Sequence, residues 1–170
     1  MQEFLKYRIE ERVRWGDVDA ARIIFYGAYI RFFEFAETEL FRAVGLPYGV
    51  MFDELDIWLP RAHLECDFRH AAQLDDLLEV STYVGRIGTK SLRLNFEVRR
   101  TGEELIIAEA HFVLVAVRRH TFETVIVPEE LKRRLAPYTK NSPESEASAS
   151  DTSVQDRVTK PFYPNESKVS

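Results

Sequence analysis

The chain of 170 residues contains one cysteine, Cys66, and no run of eighteen consecutive apolar residues. A single thiol argues against an internal disulfide and against a zinc cluster built on several thiolates. The lack of a long apolar run argues against a transmembrane helix. The first residues also lack the basic and apolar regions of a secretory signal. We therefore expect a cytoplasmic protein with no membrane span.

Several sequence motifs of common enzymes and binding proteins are also missing. There is no G-x-S-x-G elbow of a serine hydrolase and no glycine-rich phosphate loop. The net charge of −5 is unlike the basic surface of a nucleic-acid-binding protein. The four histidines do not follow one another at the spacing of metal ligands (His63, His70, His111 and His120). We expect no metal, no cofactor and no nucleic-acid partner.

The length and the hydrophobic content of 45% suit one folded domain, which we assign to residues 1–138. Residues 139–170 are rich in serine, net acidic and poor in large apolar residues. This composition is typical of a flexible tail. The apolar residues at 161–164 are its one candidate docking segment.

The hydrophobic pattern predicts an amphipathic strand at residues 5–15 and a loop at 16–27. Residues 28–44 then have the pattern of a long helix, with Gly45 at its C-terminal end. Polar residues form only a narrow stripe along this helix. A surface helix is apolar on one face only, so we expect this one to be covered around most of its circumference.

Four further strands are predicted, at residues 62–69, 77–87, 91–99 and 105–117. The last of them is apolar on both faces, which favours a central strand covered on both sides. Residues 122–127 are predicted as an additional short strand, and a helix is predicted at 129–135 after Pro128. Short connections indicate antiparallel neighbours. The predicted class is α+β, with an antiparallel sheet curled around one helix.

The segment from Trp15 to Tyr29 reads W-G-D-V-D-A-A-R-I-I-F-Y-G-A-Y. It resembles the signature of the 4-hydroxybenzoyl-CoA thioesterase family, which includes the acyl-CoA thioesterases associated with the Tol–Pal system. The resemblance continues at 74–77 and 88–92 and covers roughly residues 5–135. It implies a hot-dog fold, in which a five-stranded antiparallel sheet wraps around the helix, and hydrolysis of an acyl-CoA thioester. It also implies homodimers that often pair into tetramers.

The resemblance implies that Asp19, the second aspartate of the D-x-D motif, is the catalytic carboxylate. An aspartate is ionised at neutral pH, so it can attack the thioester or activate a water molecule. The backbone N–H of Tyr26, with Gly27 beside it, is implied to polarise the thioester carbonyl at the start of the helix. The alternative for Asp19 is a turn or helix-capping role. We predict a structural role for Asp17.

Substrate contacts are predicted at two places. Arg22 occupies a position that is commonly glycine in the family, so it either binds a phosphate or an acidic acyl group or marks an inactive member. Phe25 and Tyr29 suit an aromatic acyl pocket, and they suit a packed core equally well. The resemblance also implies contacts with the nucleotide part of coenzyme A, and the alternative there is a solvated turn (Arg86, Gly88, Thr89 and Lys90).

Two other functions compete with an acyl-CoA thioesterase. One is a non-catalytic acyl-CoA-binding protein, which would account for Arg22. The other is a thioesterase that acts on acyl carrier protein. A hot-dog hydratase is disfavoured because no histidine lies between residues 16 and 30.

Overall fold

A computed structural model describes residues 4–140. The strands are β1 (Tyr7–Arg12), β2 (Ile57–Trp58), β3 (Arg61–Phe68), β4 (Leu77–Ile87), β5 (Ser91–Arg100), β6 (Ile106–Val115) and β7 (Val117–Arg118). The α-helices are α1 (Tyr29–Ala43), α2 (Tyr48–Leu55) and α3 (Glu129–Leu135). Short 3₁₀ turns cover Trp15–Asp17, Tyr26–Ala28 and Ala136–Tyr138.

Five strands form one antiparallel sheet in the order β1-β4-β5-β6-β3, and β2 pairs with β7 in a separate ribbon. Helix α1 packs against one face of the large sheet. This arrangement confirms the predicted architecture. The predicted strand boundaries agree with β4 at both ends and with β3 and β5 to within one residue.

Aromatic side chains join α1 to the sheet. The ring centroid of Phe33 lies 5.1 Å from that of Phe96 on β5 and 5.8 Å from that of Phe112 on β6. All three side chains are at most 1% exposed. Burying side chains of this size removes a large apolar area from water, so these contacts fix the position of α1 across the middle of the sheet.

The opposite side of α1 is not covered by the single chain. Ile30 and Phe35 are each 39% exposed. The expected cover around most of the helix is therefore incomplete within residues 4–140: ten of the fifteen residues of α1 are buried or half-buried, and the sheet does not reach the remaining side. The predicted helix end at Gly45 is confirmed, because Gly45 has a φ of 77° and follows the helix in the left-handed conformation.

Three features of the chain after α1 differ from the predictions. Residues 122–127 do not form a strand, because Thr124 makes only an isolated bridge to Val117. Strand β6 has β5 and β3 on its two sides, as predicted for a central strand, but the predicted cover on both faces is incomplete, because its outward residues Glu109 and His111 are only half-buried. The pattern also missed α2, an eight-residue helix that contains Gly49.

The end of the described chain returns to the sheet. Thr139 bridges Val84, and the Lys140 N–H donates to the Val84 carbonyl at 2.8 Å. The remainder of the predicted tail, 141–170, lies outside the described residues. No helix within residues 4–140 has the length and apolar content needed to cross a bilayer.

A buried carboxylate links α1 to α2 and β3. Glu37 is fully buried, and its Oε1 accepts hydrogen bonds from the Tyr48 hydroxyl and, at 2.7 Å, from Arg61. Burial raises the pKa of Glu37, against the opposing effects of Arg61 and Tyr48. Because the folded state holds this proton more tightly than the unfolded chain, the stability contributed by Glu37 falls as the pH rises from the ordinary glutamate pKa to the raised one.

We predict that Tyr48→Phe lowers the free energy of unfolding by about 1–3 kcal/mol, because it removes a hydrogen-bond donor from a buried carboxylate. The measurement is urea denaturation at neutral pH. Tyr7→Phe is the matched control, since the Tyr7 hydroxyl has no hydrogen bond within residues 4–140. An equal effect of the two substitutions would contradict the role assigned to this contact.

Candidate active site

A short hairpin connects β1 to the start of α1. Val18 and Ile24 form an antiparallel bridge, and the Asp19 N–H donates to the Ile23 carbonyl at 3.1 Å. The turn is closed by the Arg22 N–H, which donates to the Asp19 carbonyl at 2.9 Å. Arg22 has a φ of 64°, in the left-handed region. The turn therefore needs the backbone conformation that glycine adopts most readily.

The hairpin is attached to the segment that precedes β4. The Ile24 N–H donates to the Ala72 carbonyl at 2.9 Å, and Ile23 forms a bridge with Gln73. The Val13 N–H, at the end of β1, donates to the Asp76 carbonyl at 2.9 Å. These bonds hold the D-x-D motif at the end of the sheet where β4 begins, next to the N-terminus of α1.

Asp17, the first aspartate of the motif, is buried, and both oxygens of its carboxylate accept hydrogen bonds. Its Oδ2 accepts the Arg14 N–H at 2.8 Å, and its Oδ1 accepts the Arg31 Nε at 3.0 Å. A second guanidinium nitrogen of Arg31 bonds to the same carboxylate. Such a bidentate contact is among the stronger polar contacts in proteins. Asp17 therefore ties the hairpin to the first turns of α1 and has little capacity left for chemistry.

Asp19, the second aspartate, is exposed. Its Oδ1 accepts the Ala21 N–H at 2.8 Å, which is a local turn contact. No Lys, Arg or His within residues 4–140 forms an ion pair with it. The two aspartates thus have different environments, although only Val18 separates them. The carboxylate of Asp19 is open to a ligand or a water molecule.

The start of the helix presents unpaired backbone donors. The first bond of the 3₁₀ turn is donated by Ala28 to the Phe25 carbonyl at 3.0 Å. The preceding N–H groups, of Tyr26 and Gly27, have no acceptor within the described part of the chain. A Cβ on Gly27 would lie 2.7 Å from the Phe25 ring, so glycine permits the close approach of that ring to the backbone. Free N–H groups at the positive end of a helix suit a developing negative charge.

The aromatic residues around the hairpin divide into exposed and buried sets. Tyr26 is 79% and Trp15 is 80% exposed, and Phe25 is 38% exposed. Tyr29 is buried in the core with its ring centroid 5.1 Å from that of Phe68, and burial raises the pKa of its hydroxyl to about 12. In the single chain, Phe25 faces solvent in part, whereas Tyr29 is packed.

The second group of predicted substrate residues lies elsewhere. Arg86 is near the end of β4, and Gly88, Thr89 and Lys90 form the turn to β5. This turn contacts residues 122–127, since the Val127 N–H donates to the Thr89 carbonyl at 2.9 Å. The hairpin of Asp19 lies at the other end of β4, which spans roughly 30 Å over its length. The structure therefore does not bring the two groups together within one chain.

The structure also brings together histidines that are far apart in the sequence. His63 and His111 lie on β3 and β6, with ring centroids 5.3 Å apart, and Glu65 pairs directly with His111. The expectation that the histidines do not cluster is therefore wrong, because β3–β6 pairing joins positions 48 residues apart. Cys66, the single cysteine, is half-buried on β3, and burial raises the pKa of its thiol to about 11.

Residues 13–135 match the model of the thioesterase-like superfamily, and the chain belongs to this family. The chain is 31% identical over 121 residues to an acyl-CoA thioesterase, YbgC, of Haemophilus influenzae. The aligned residues cover 71% of this chain and 88% of that protein. It is 22% identical over 127 residues to a 1,4-dihydroxy-2-naphthoyl-CoA hydrolase of Synechococcus elongatus, covering 74% and 92% of the two chains. A solved 1,4-dihydroxy-2-naphthoyl-CoA thioesterase from Synechocystis superposes with a TM-score of 0.71 at 17% identity, covering 77% and 96%. The predicted family and fold are confirmed.

We predict that Arg22→Gly raises the free energy of unfolding by about 0.5–1 kcal/mol. A left-handed conformation costs a non-glycine residue about 1–2 kcal/mol, and the greater freedom of glycine in the unfolded chain offsets part of the gain. Urea denaturation measures the difference. Arg22→Ala is the control, because it removes the guanidinium and keeps the backbone cost. A gain of the same size in Arg22→Ala would attribute the effect to charge instead.

Proposed function

We propose that this member of the thioesterase-like superfamily hydrolyses acyl-coenzyme A thioesters, with Asp19 as the catalytic carboxylate. The observation that carries the proposal is the contrast between the two aspartates of one hairpin. Asp17 is bound by Arg31, whereas Asp19 has one carboxylate oxygen without a partner within residues 4–140, beside a helix start where two N–H groups also have no acceptor in that range. Two relatives that align over 71% and 74% of this chain are named an acyl-CoA thioesterase and a 1,4-dihydroxy-2-naphthoyl-CoA hydrolase, which supports thioester hydrolysis here.

In the proposed reaction, the thioester carbonyl accepts hydrogen bonds from the N–H groups of Tyr26 and Gly27. Asp19 either attacks the carbonyl carbon, giving an acyl anhydride that water cleaves, or takes a proton from a water molecule that attacks instead. Negative charge develops on the carbonyl oxygen and is stabilised by the helix-start donors, each worth ~3 kcal/mol in comparable sites. The carbon–sulfur bond breaks, the thiolate takes up a proton, and the products are the free acid and coenzyme A.

A homodimer is part of the proposal. The free edge of β3 carries Leu64 and Phe68, which are 44% and 52% exposed, and the outer side of α1 also has exposed apolar residues. Unpaired, apolar strand edges favour association with a second chain. A second protomer would cover the exposed hairpin of Asp19 and would supply the β4–β5 turn that lies far from it in the same chain.

Arg22 and the β4–β5 turn would hold the carrier part of the substrate. Arg86 and Lys90 provide cations for its phosphates, and Thr89 provides a hydroxyl group. Phe25 would contact the acyl group at the mouth of the site, and the buried Tyr29, packed against Phe68, would support that surface from the core. Cytoplasmic location and the pairing of dimers into tetramers, both expected from the sequence, remain predictions within this proposal.

We predict that Asp19→Asn reduces kcat by about 100-fold or more, which is the usual effect of losing a catalytic acid or base. The assay measures thiol release from short, medium, long-chain and aromatic acyl-CoAs, and it also identifies the preferred acyl group. Asp53→Asn is the control, because Asp53 is an exposed aspartate of α2 that pairs with Arg119 far from the hairpin.

Each outcome of this assay has a distinct meaning. Full activity in Asp19→Asn would refute the assignment of the carboxylate. A wild type that binds an acyl-CoA without turnover would favour the non-catalytic acyl-CoA-binding protein, with Arg22 as the residue that departs from the family. If the wild type neither binds nor cleaves acyl-CoAs but releases thiol from acylated carrier protein, the substrate is an acyl carrier protein thioester instead.

We predict that Leu64→Lys converts the proposed dimer to a monomer at micromolar concentration, because it places a charge within an apolar interface. Light scattering during gel filtration measures the mass. Leu105→Lys is the control, since Leu105 is exposed to a similar degree, 46%, but lies in the β5–β6 connection. A monomeric wild type, or an unchanged mass of Leu64→Lys, would contradict an interface at β3.

A further inference from the structure

Two histidines and a glutamate converge on the face of the sheet that lies opposite α1. His63 and Glu65 are on the edge strand β3, and His111 is on the adjacent strand β6. One ligand atom from each residue lies within 4.8 Å of those of the other two. A bulge between Arg61 and His63 precedes this part of β3, and beyond it Glu65 is directly opposite His111.

The donor set has the chemistry of a transition-metal site. Two imidazole nitrogens and one carboxylate oxygen are the ligands that zinc and its neighbours prefer. In a tetrahedral zinc site, with bonds of about 2.0–2.1 Å, neighbouring ligand atoms are roughly 3.3 Å apart. The side chains of His63 and Glu65 are 42% and 63% exposed, so rotation about their side-chain bonds can close the remaining distance without moving the strands.

The surroundings also favour a cation. Glu65 and Asp67 form no ion pair with a lysine or arginine within residues 4–140. The neighbouring Glu109 is neutralised by Arg69, and the nearby cation, Arg93, donates to Asn95. A polar pocket of about 200 Å³ adjoins the cluster and is lined by Glu65, Asp67 and His111 among others. Glu65 and Asp67 carry two negative charges against the one positive charge of Arg93, which leaves an excess of negative charge for a divalent ion to offset.

We propose that His63, Glu65 and His111 form a binding site for a zinc-type divalent cation on the outer face of the sheet. Three protein ligands leave a fourth position for water, as in open zinc sites. The bound ion would join the edge strand β3 to β6 and so stiffen the free edge of the sheet. This site lies on the opposite face from α1, and it is independent of the chemistry proposed for Asp19.

The test uses the full chain, without an affinity tag and freed of metal by a chelator. Calorimetric titration with Zn²⁺ is expected to give one ion per chain, and Zn²⁺ is expected to raise the melting temperature. Co²⁺ is expected to give the absorption spectrum of a site with nitrogen and oxygen ligands. Because thiol release is not the readout, failure of this proposal and failure of the thioesterase proposal are distinguishable.

The variants His63→Ala, His111→Ala and Glu65→Gln are each expected to weaken Zn²⁺ binding by more than tenfold and to abolish the rise in melting temperature. His120→Ala is the matched control, because His120 is exposed and outside the cluster. Melting in the absence of metal checks that each variant folds. No saturable binding by the wild type, or undiminished affinity in all three variants, would overturn the proposal.

Discussion

The packing of Phe33 against the contacting rings of Phe96 and Phe112 fixes the position of α1 on the sheet. With these rings fixed, the helix axis lies across the sheet, and its first turn is held at one end of β4. Protein interiors are packed to the density of organic crystals, so the helix cannot slide without opening a void. The N–H groups of Tyr26 and Gly27, which have no acceptor among the described residues, are therefore at a defined place relative to the hairpin that precedes them.

On the proposed function, the two aspartates of the D-x-D motif have different roles although their side chains are identical. Asp17 is buried against Arg31 and joins the hairpin to the helix. Asp19 projects from the turn that this contact supports, with one oxygen in a local hydrogen bond. Because Asp17 makes the contacts that join the hairpin to α1, Asp19 needs only one local hydrogen bond to keep its place. The proposed site thus depends on the first aspartate for geometry and on the second for reactivity.

Much of the fold follows from local pattern. The alternation in β4 and β5, the apolar run of α1 and the glycine at position 45 each predicted the element that is present. Helix α2 was missed because it is short and contains Gly49. The His63–His111 contact was missed because it results from strand register, which no spacing along the chain reveals. The left-handed backbone at Arg22 was not predicted, because arginine rarely adopts this conformation and only the glycine common at this position in the family hints at it.

Strand β4, with eleven residues, separates the two proposed half-sites of one chain, so mutations in different half-sites can compensate for one another. On the proposed arrangement, each protomer carries a carboxylate half-site at one end of β4 and a carrier-binding half-site at the other. Each of the two complete sites in a symmetric dimer then draws its halves from different chains. A chain defective at Asp19 and a chain defective in the β4–β5 turn would, when mixed, rebuild one intact site in every heterodimer. Two inactive alleles would in this way complement one another.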